Sequence, residues 1–265
     1  MIFLLLPAAA FFGAFFILPM CQLFLVGGSG ARGWSAYTAI LTDPIYFNSL
    51  LATLGVAAAT TVATLLISAI AGVFLQRHRF PGNALLVSML TLPLAFPGVV
   101  IGFMVIMLAG RQGLIGTITQ ALGGDKWVFA YSLGGLFMGY VYFSVPRTIL
   151  TVMSATEKLD PRLEEAARSL GASTWRVVLD VILPGLKPAF ISAGAICFAT
   201  AVGAFGTAFT LAARINVLPM VIYTEFTLSA NIAMAAALSF VLGAVTWLVL
   251  ALARTAAGST VAAAG

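Results

Sequence analysis

Residues 49–75 read SLLATLGVAAATTVATLLISAIAGVFL, 27 positions without one charged side chain. At about 1.5 Å per residue, a helix of that length exceeds the ~30 Å thickness of a bilayer's hydrocarbon. Lipid gives a bare backbone N–H or C=O no partner, so a spanning segment is a helix or part of a closed barrel. Barrel strands alternate apolar and polar residues over about ten positions. This stretch does not alternate, and it predicts a membrane helix.

Five more stretches read the same way: Ile2–Val26, Ala84–Gly110, Trp127–Pro146, Pro188–Ala213 and Phe226–Ala253. Composition agrees. The 265 residues are 62% hydrophobic and 8% charged, with mean hydropathy +1.10, whereas a soluble domain is about 25% charged. An ordinary soluble enzyme, a disordered chain and a disulfide scaffold are excluded. Cys21 and Cys197 both lie in apolar stretches and predict no disulfide. The chain is read as one all-α membrane domain, residues 1–265, with six transmembrane helices. No basic residue precedes the first apolar run as in a secretory signal. Leu18-Pro19-Met20-Cys21 lacks the small residues of a lipid-attachment box. The segment is read as a retained span.

The loops give the orientation. One side holds Arg77, Arg79, Arg147, Lys158, Arg162, Arg168, Arg176, Lys187 and Arg254, and the other holds Arg32, Arg111, Lys126 and Arg214. The positive-inside bias places the first, larger set in the cytoplasm, with both termini. The net charge of +5 is therefore a matter of topology and does not point to nucleic acid.

Arg147–Lys187 is the one long polar stretch, and eleven charged side chains fall in it. Its signals are helical. Asp160 suits an N-cap and Pro161 the first helical position. Glu164 and Arg168 are an i,i+4 pair. Leu159, Leu163, Ala166, Ala167 and Leu170 form an apolar stripe. Gly171 stands where a left-handed residue closes a helix. A second helix is predicted from Ser173 or Thr174, with Trp175, Val178, Leu179 and Ile182 on one face and Pro184 ending or kinking it. Two short amphipathic helices joined at a glycine bend form a docking element.

Glu165-Ala166-Ala167, then Gly171, then Val181-Ile182-Leu183-Pro184 resembles the "EAA…G…I-x-LP" motif of ATP-binding-cassette (ABC) importer permeases, with Val181 for the usual Ile. The motif precedes the penultimate span, as in that family. Trp34-Ser35-Ala36-Tyr37, Asn48-Ser49-Leu50, Leu218-Pro219 and Ile222-Tyr223 are similar to the branch that includes spermidine/putrescine permeases and relatives for phosphonates, ferric iron, thiamine and molybdate. The resemblance implies the type I (MetI-like) permease fold, with 147–187 as a cytoplasmic coupling loop. It implies docking to a cytoplasmic ATPase dimer through Glu165, Ala166, Ala167, Arg168, Leu170 and Gly171. It also implies a second permease subunit, a paralogue in preference to a second copy, and an extracytoplasmic solute-binding protein. The expected setting is the bacterial inner membrane and the expected solute a polyamine, with the other solutes of the branch as alternatives.

The chain has no G-x-x-x-x-G-K-[ST] loop, so ATP and magnesium are assigned to the partner, and neither cofactor nor catalytic residue to this chain. Gly28-Ser29-Gly30-Ala31-Arg32-Gly33 matches G-x-G-x-x-G but follows a membrane span and not a strand. His78 is a lone histidine, and a metal site needs several ligands. Gly98…Gly102 and Gly135…Gly139 are G-x-x-x-G packing patterns. Thr200, Thr207 and Thr210 lie along a small-residue face of the fifth span, which either packs or lines the path. Tyr223 and Glu225 either meet a cationic solute by charge and cation–π attraction or stand at a helix end against water and lipid headgroups. A secondary transporter would place ionisable groups within its spans, and none of the six stretches holds one.

Overall fold

The computed structural model describes residues 5–211 and 215–257. Among them every regular element is helical. Six helical segments are long and apolar enough to cross a membrane: α1 Leu6–Gly28, α3 Pro44–Arg77, α5–α6 Gly98–Ala121, α7 Leu133–Glu157, α9 Thr174–Val202 and α12, whose spanning part is Ile232–Thr255. The shorter elements are α2 Ala36–Thr42, α4 Asn83–Thr91, α8 Pro161–Ser169, α10 Phe205–Leu211 and α11 Leu218–Thr227. Within the third span, α5 is Gly98–Ala109 and α6 is Leu114–Ala121.

Six spans hold, but their ends move. The predicted third span, Ala84–Gly110, is two elements. Pro97 drives Phe96 into an extended conformation, as prolines do to the residue before them, and α5 starts afresh at Gly98. The crossing therefore runs from Gly98 to Ala121. The fourth was predicted from Trp127 to Pro146. It starts at Leu133, where Ser132 accepts a hydrogen bond from the Gly135 N–H, and it continues through Pro146 to Glu157. Arg147 is thus a helix residue and not the start of the loop. Hydropathy marks where solvent changes, whereas caps mark where a helix ends. The predicted sixth span began at Phe226, which belongs to α11. The chain turns at Ala230, φ 50°, and Asn231 caps the last helix by accepting from the Met234 N–H. Ile2 and Ala213, the predicted outer limits of the first and fifth spans, and Arg214 lie outside the described residues.

Pro184 does not end a helix. The second amphipathic helix and the fifth span are one continuous segment, Thr174–Val202. A wide turn, Val178–Ile182, precedes the proline, and Leu183 N–H donates five residues back to Val178 O. The first span repeats the device: Gly13–Ile17 is wide, and Leu18 N–H donates to Gly13 O just before Pro19. A proline has no N–H, and its ring meets the carbonyl four residues back. Widening the preceding turn relieves that meeting without breaking the helix.

The chain forms two compact units, residues 1–54 with 216–247 and residues 55–215 with 248–265. In the first, Ala36, Ala39 and Ile40 of α2 pack with Tyr46 and Leu50 of α3, Leu218 of α11 and Met234, Ala237 and Leu238 of α12. Thr53 Oγ1 accepts from the Leu218 N–H at 2.8 Å, supplying the cap that α11 lacks locally. In the second, α3 meets α7 closely at Gly72, where a Cβ would lie 2.8 Å from Val152. A Cβ on Gly102 would lie 2.6 Å from Thr210, so the first G-x-x-x-G pattern packs against α10.

The fifth span breaks after Val202, and α10 resumes at Phe205. Tyr140 of α7, 5% exposed, donates its hydroxyl to Ala204 O at 2.6 Å inside that break. Irregular backbone at membrane depth needs such a partner. Tyr140→Phe removes this bond inside the protein and is expected to destabilise it by about 0.5–1.5 kcal/mol. A lower thermal midpoint in detergent checks this, and an unchanged midpoint would refute it.

Candidate functional site

The polar segment after α7 is built from caps inward. Asp160 Oδ1 accepts from the Arg162 N–H at 3.0 Å and opens α8, with Pro161 in its first turn. At the other end Gly171 has φ 85°. Its N–H donates to Arg168 O at 2.9 Å, and the Ala172 N–H donates to Ala167 O at 3.0 Å. This pair of bonds is the Schellman closure, and it needs a left-handed residue at the position Gly171 holds. A Cβ there would meet no atom within 4 Å, so backbone conformation, not space, selects glycine. Ser173 then caps α9 by accepting from the Arg176 N–H. The Asp160 cap and the Gly171 closure stand where the sequence predicts them, and of the two predicted starts of the second helix, Ser173 or Thr174, Ser173 is the cap.

The apolar stripe divides. Leu159, Ala167 and Ala172 pack against Val152, Val177, Ile182 and Leu186, where α7, α8 and α9 meet. Gly185 makes room for Leu159, since a Cβ would lie 2.6 Å from its Cδ2. Leu163, Ala166 and Leu170 point away, and Leu170 is 89% exposed and Trp175 70%. Glu165 and Arg168 are exposed beside them. Of the predicted docking residues, Ala167 is therefore turned largely inward and Gly171 shapes the bend. Glu165, Ala166, Arg168 and Leu170 form the presented surface.

The residue that sequence reading missed is Arg77, the last of α3. Its guanidinium lies 2.7 Å from Glu164 Oε1 and also donates to Leu159 O at 3.3 Å. Both side chains of the pair are mostly buried, at 20% and 14% exposure. Arg168, the expected i,i+4 partner of Glu164, reaches only to 4.0 Å. The available signal was the phase of the helix: Glu164 and Ala167 share a face one residue removed from Leu163, Ala166 and Leu170. An acid on the inward face requires a nearby cation, and the end of the second span supplies it.

The residues expected along the solute path fall in separate units. Thr207 Oγ1 donates to Gly98 O at 2.9 Å, and Thr210 Oγ1 to Gly206 O at 3.0 Å and Val99 O at 3.3 Å. They join α10 to the first turn of α5. In the other unit Glu225 Oε1 accepts from the Tyr46 hydroxyl at 2.9 Å, holding α11 to the start of α3. Tyr223 is half-buried on the same helix. Among the described residues no three His, Cys, Asp or Glu side chains form a metal-binding group. His78 stacks on Phe74, with ring centroids 4.6 Å apart.

Residues 64–257 match the family model of the binding-protein-dependent transport system inner membrane component. The molybdenum transport system permease protein ModB of Escherichia coli K12 is 35% identical over 189 residues, 70% of this chain and 81% of that protein. The sulfate transport system permease protein CysT of the same organism is 30% identical over 182 residues, 69% of this chain and 65% of that one. A bacterial alginate ABC transporter, crystallised with its alginate pentasaccharide-bound periplasmic protein, shares the fold: TM-score 0.81 at 15% identity, covering 97% of this chain and 93% of that one. The MetNI methionine ABC transporter in an inward-facing conformation gives TM-score 0.62 at 18% identity, covering 80% and 94%.

The Arg77–Glu164 pair is testable by reversal. Arg77→Glu or Glu164→Arg alone should expose the loop to chymotrypsin, whose sites at Leu163, Leu170 and Trp175 are unchanged, about tenfold faster, as a loss of about 1.4 kcal/mol of local stability implies. The double reversal should restore protection. A double variant no better protected than either single one would show that the pair does not hold the loop.

Proposed function

The chain belongs to the binding-protein-dependent transport system inner membrane components, and from that premise we propose that it conducts a tetrahedral oxyanion, molybdate or sulfate, driven by an ATPase docked on α8. It is a multi-pass permease subunit of an ABC importer and not an enzyme. The observation that carries the docking reading is the outward face of α8, where Leu170 is 89% and Leu163 56% exposed on a helix clamped from behind. Water is a poor neighbour for those side chains, and burying one leucine contributes about 1.5–3 kcal/mol. Glu165, exposed beside them, is assigned to a basic residue of the ATPase.

The oxyanion is favoured by the molybdenum and sulfate permeases among the relatives. The polyamine expected first draws on Glu225, whose carboxylate is already engaged by Tyr46. The partners proposed are an ATPase dimer facing the cytoplasm, a second permease subunit related to this one, and a solute-binding protein on the other side. Both chain ends are assigned to the cytoplasm. The mechanism proposed is alternating access. Closure of the ATPases moves α8, and the helices anchored to it repack between inward-open and outward-open arrangements. A partner shifts such an equilibrium only by contacting the two states differently, and the exposed face of α8 provides that contact.

Purified complex in proteoliposomes, with loaded binding protein outside and ATP inside, should accumulate labelled sulfate or molybdate and not spermidine. Leu170→Asp should weaken ATPase association about tenfold or more, given the burial energy above, and Glu165→Arg should abolish uptake while membrane insertion persists. Spermidine uptake in place of the oxyanions would overturn the solute. Full uptake by both variants would overturn the docking face.

A further inference from the structure

The fourth span carries a charge that hydropathy had placed in the loop. Arg147 lies ten residues before the end of α7, about 15 Å along the axis from Glu157 at 1.5 Å per residue. It lines a groove between α7 and α9 together with Ser144, Thr148 and Thr151 of the first helix and Cys197 and Thr200 of the second. On α9 those two residues stand far from the coupling end at Thr174. The groove therefore lies well within the spans, in one compact unit.

Among the described residues Arg147 makes no ion pair, in contrast to Arg77 with Glu164 and Arg32 with Asp43. Its guanidinium stands 5.9 Å from the centre of the Phe143 ring, one turn back. A cation without a counter-charge in a membrane helix is costly, and it marks a solute path by default. The groove wall shows what kind of solute. Thr148, Thr151 and Thr200 donate their hydroxyls to backbone carbonyls one turn back, at 3.0, 3.0 and 2.8 Å. The wall is largely apolar, with Phe143, Ala193 and Ile196 beside the threonines, holds no acid, and has the guanidinium as its one charged donor. A planar fork of donors matches two oxygens of a tetrahedral oxyanion. A single cation also holds a dianion loosely, which conduction requires, since a site must release what it binds. A polyamine would meet only repulsion there.

We propose that Arg147 is the oxyanion contact of the translocation path in this subunit, with the groove between α7 and α9 as its setting. The assignment rests on the oxyanion reading above and adds the residue that carries it.

The test uses the assembled complex in proteoliposomes. Arg147→Gln should lower the maximal rate of sulfate or molybdate uptake roughly tenfold or more, and Arg147→Lys should keep an intermediate rate, because a point charge replaces the fork. Both variants should retain the bound ATPase and its stimulation by loaded binding protein. A second readout restores charge after folding. Arg147→Cys, made in a Cys21→Ser, Cys197→Ser background whose own uptake is the reference, should regain uptake when a cationic methanethiosulfonate reagent modifies it, and not with an anionic one. Unchanged uptake by Arg147→Gln, or equal rates with cationic and anionic reagents, overturns the assignment while the oxyanion reading stands. Wild-type complex that carries neither oxyanion overturns both.

Discussion

The contact between Arg77 and Glu164, 2.7 Å apart and largely shielded from water, ties α8 to the end of α3. A nine-residue helix such as α8 is not stable by itself in water, because nucleation costs more than so few bonds return. Four local devices replace the missing length: the Asp160 cap, the Gly171 closure, the packing of Ala167 and Leu159, and the ion pair. The ion pair differs in kind from the rest. The two helix ends bind the segment to itself and the cluster packs it on α7, α9 and Val73 of α3, whereas Arg77 adds a charge from the end of a span more than eighty residues earlier. The inner face of α8 is thereby held to α3 as well as to α7 and α9. Such a pair adds little net stability over an apolar contact. Its use here is to fix one position of the loop relative to one helix end.

Inside the membrane the governing constraint is the unpaired backbone group. Two prolines are absorbed by widening a turn, at Gly13–Ile17 and Val178–Ile182, so those helices stay continuous. Pro97 is absorbed differently, by ending one helix and beginning another. The second solution exposes backbone, and the fold places it against polar side chains. Thr207 hydrogen-bonds to Gly98 O, and Tyr140 to Ala204 O at the other break. Thr207 and Tyr140 are both nearly buried, so each hydroxyl serves the interior. Glycines at 98, 102 and 206 let α5 and α10 approach closely enough for those bonds to form.

What could be read beforehand was whatever depends on near neighbours in sequence. The six spans follow from lengths of uncharged chain, and Asp160, Gly171 and Ser173 act as caps through bonds two to five residues long. What could not be read depends on distant parts of the chain. The stripe of Leu159, Leu163, Ala166, Ala167 and Leu170 looks like one face, yet adjacent residues of a helix are 100° apart and only the position of α7 and α9 decides which of them turns inward. Glu164 was matched to Arg168 because that partner is local, whereas the closer partner is Arg77. In the sequence Arg147 reads as the edge of the membrane segment because it ends an uncharged stretch. A helix has no reason to stop at a charge if a groove can receive it, and α7 does not stop.

The coupling side and the solute side answer to different demands. Alginate and methionine transporters share this fold at 15% and 18% identity, and a fold by itself does not name a solute. The parts that hold α8 are equally indifferent to the solute: caps, a closure at a positive-φ glycine, an apolar cluster and one ion pair. Selectivity must then reside in a few side chains along the path. A charge there is the cheapest way to separate an oxyanion from a cation, because it acts on every solute by sign before shape matters. Moving Arg147 from the loop into α7 also leaves the topology reading intact, with eight basic residues still on the side assigned to the cytoplasm against four on the other. One arginine can therefore serve the path without being needed to orient the chain.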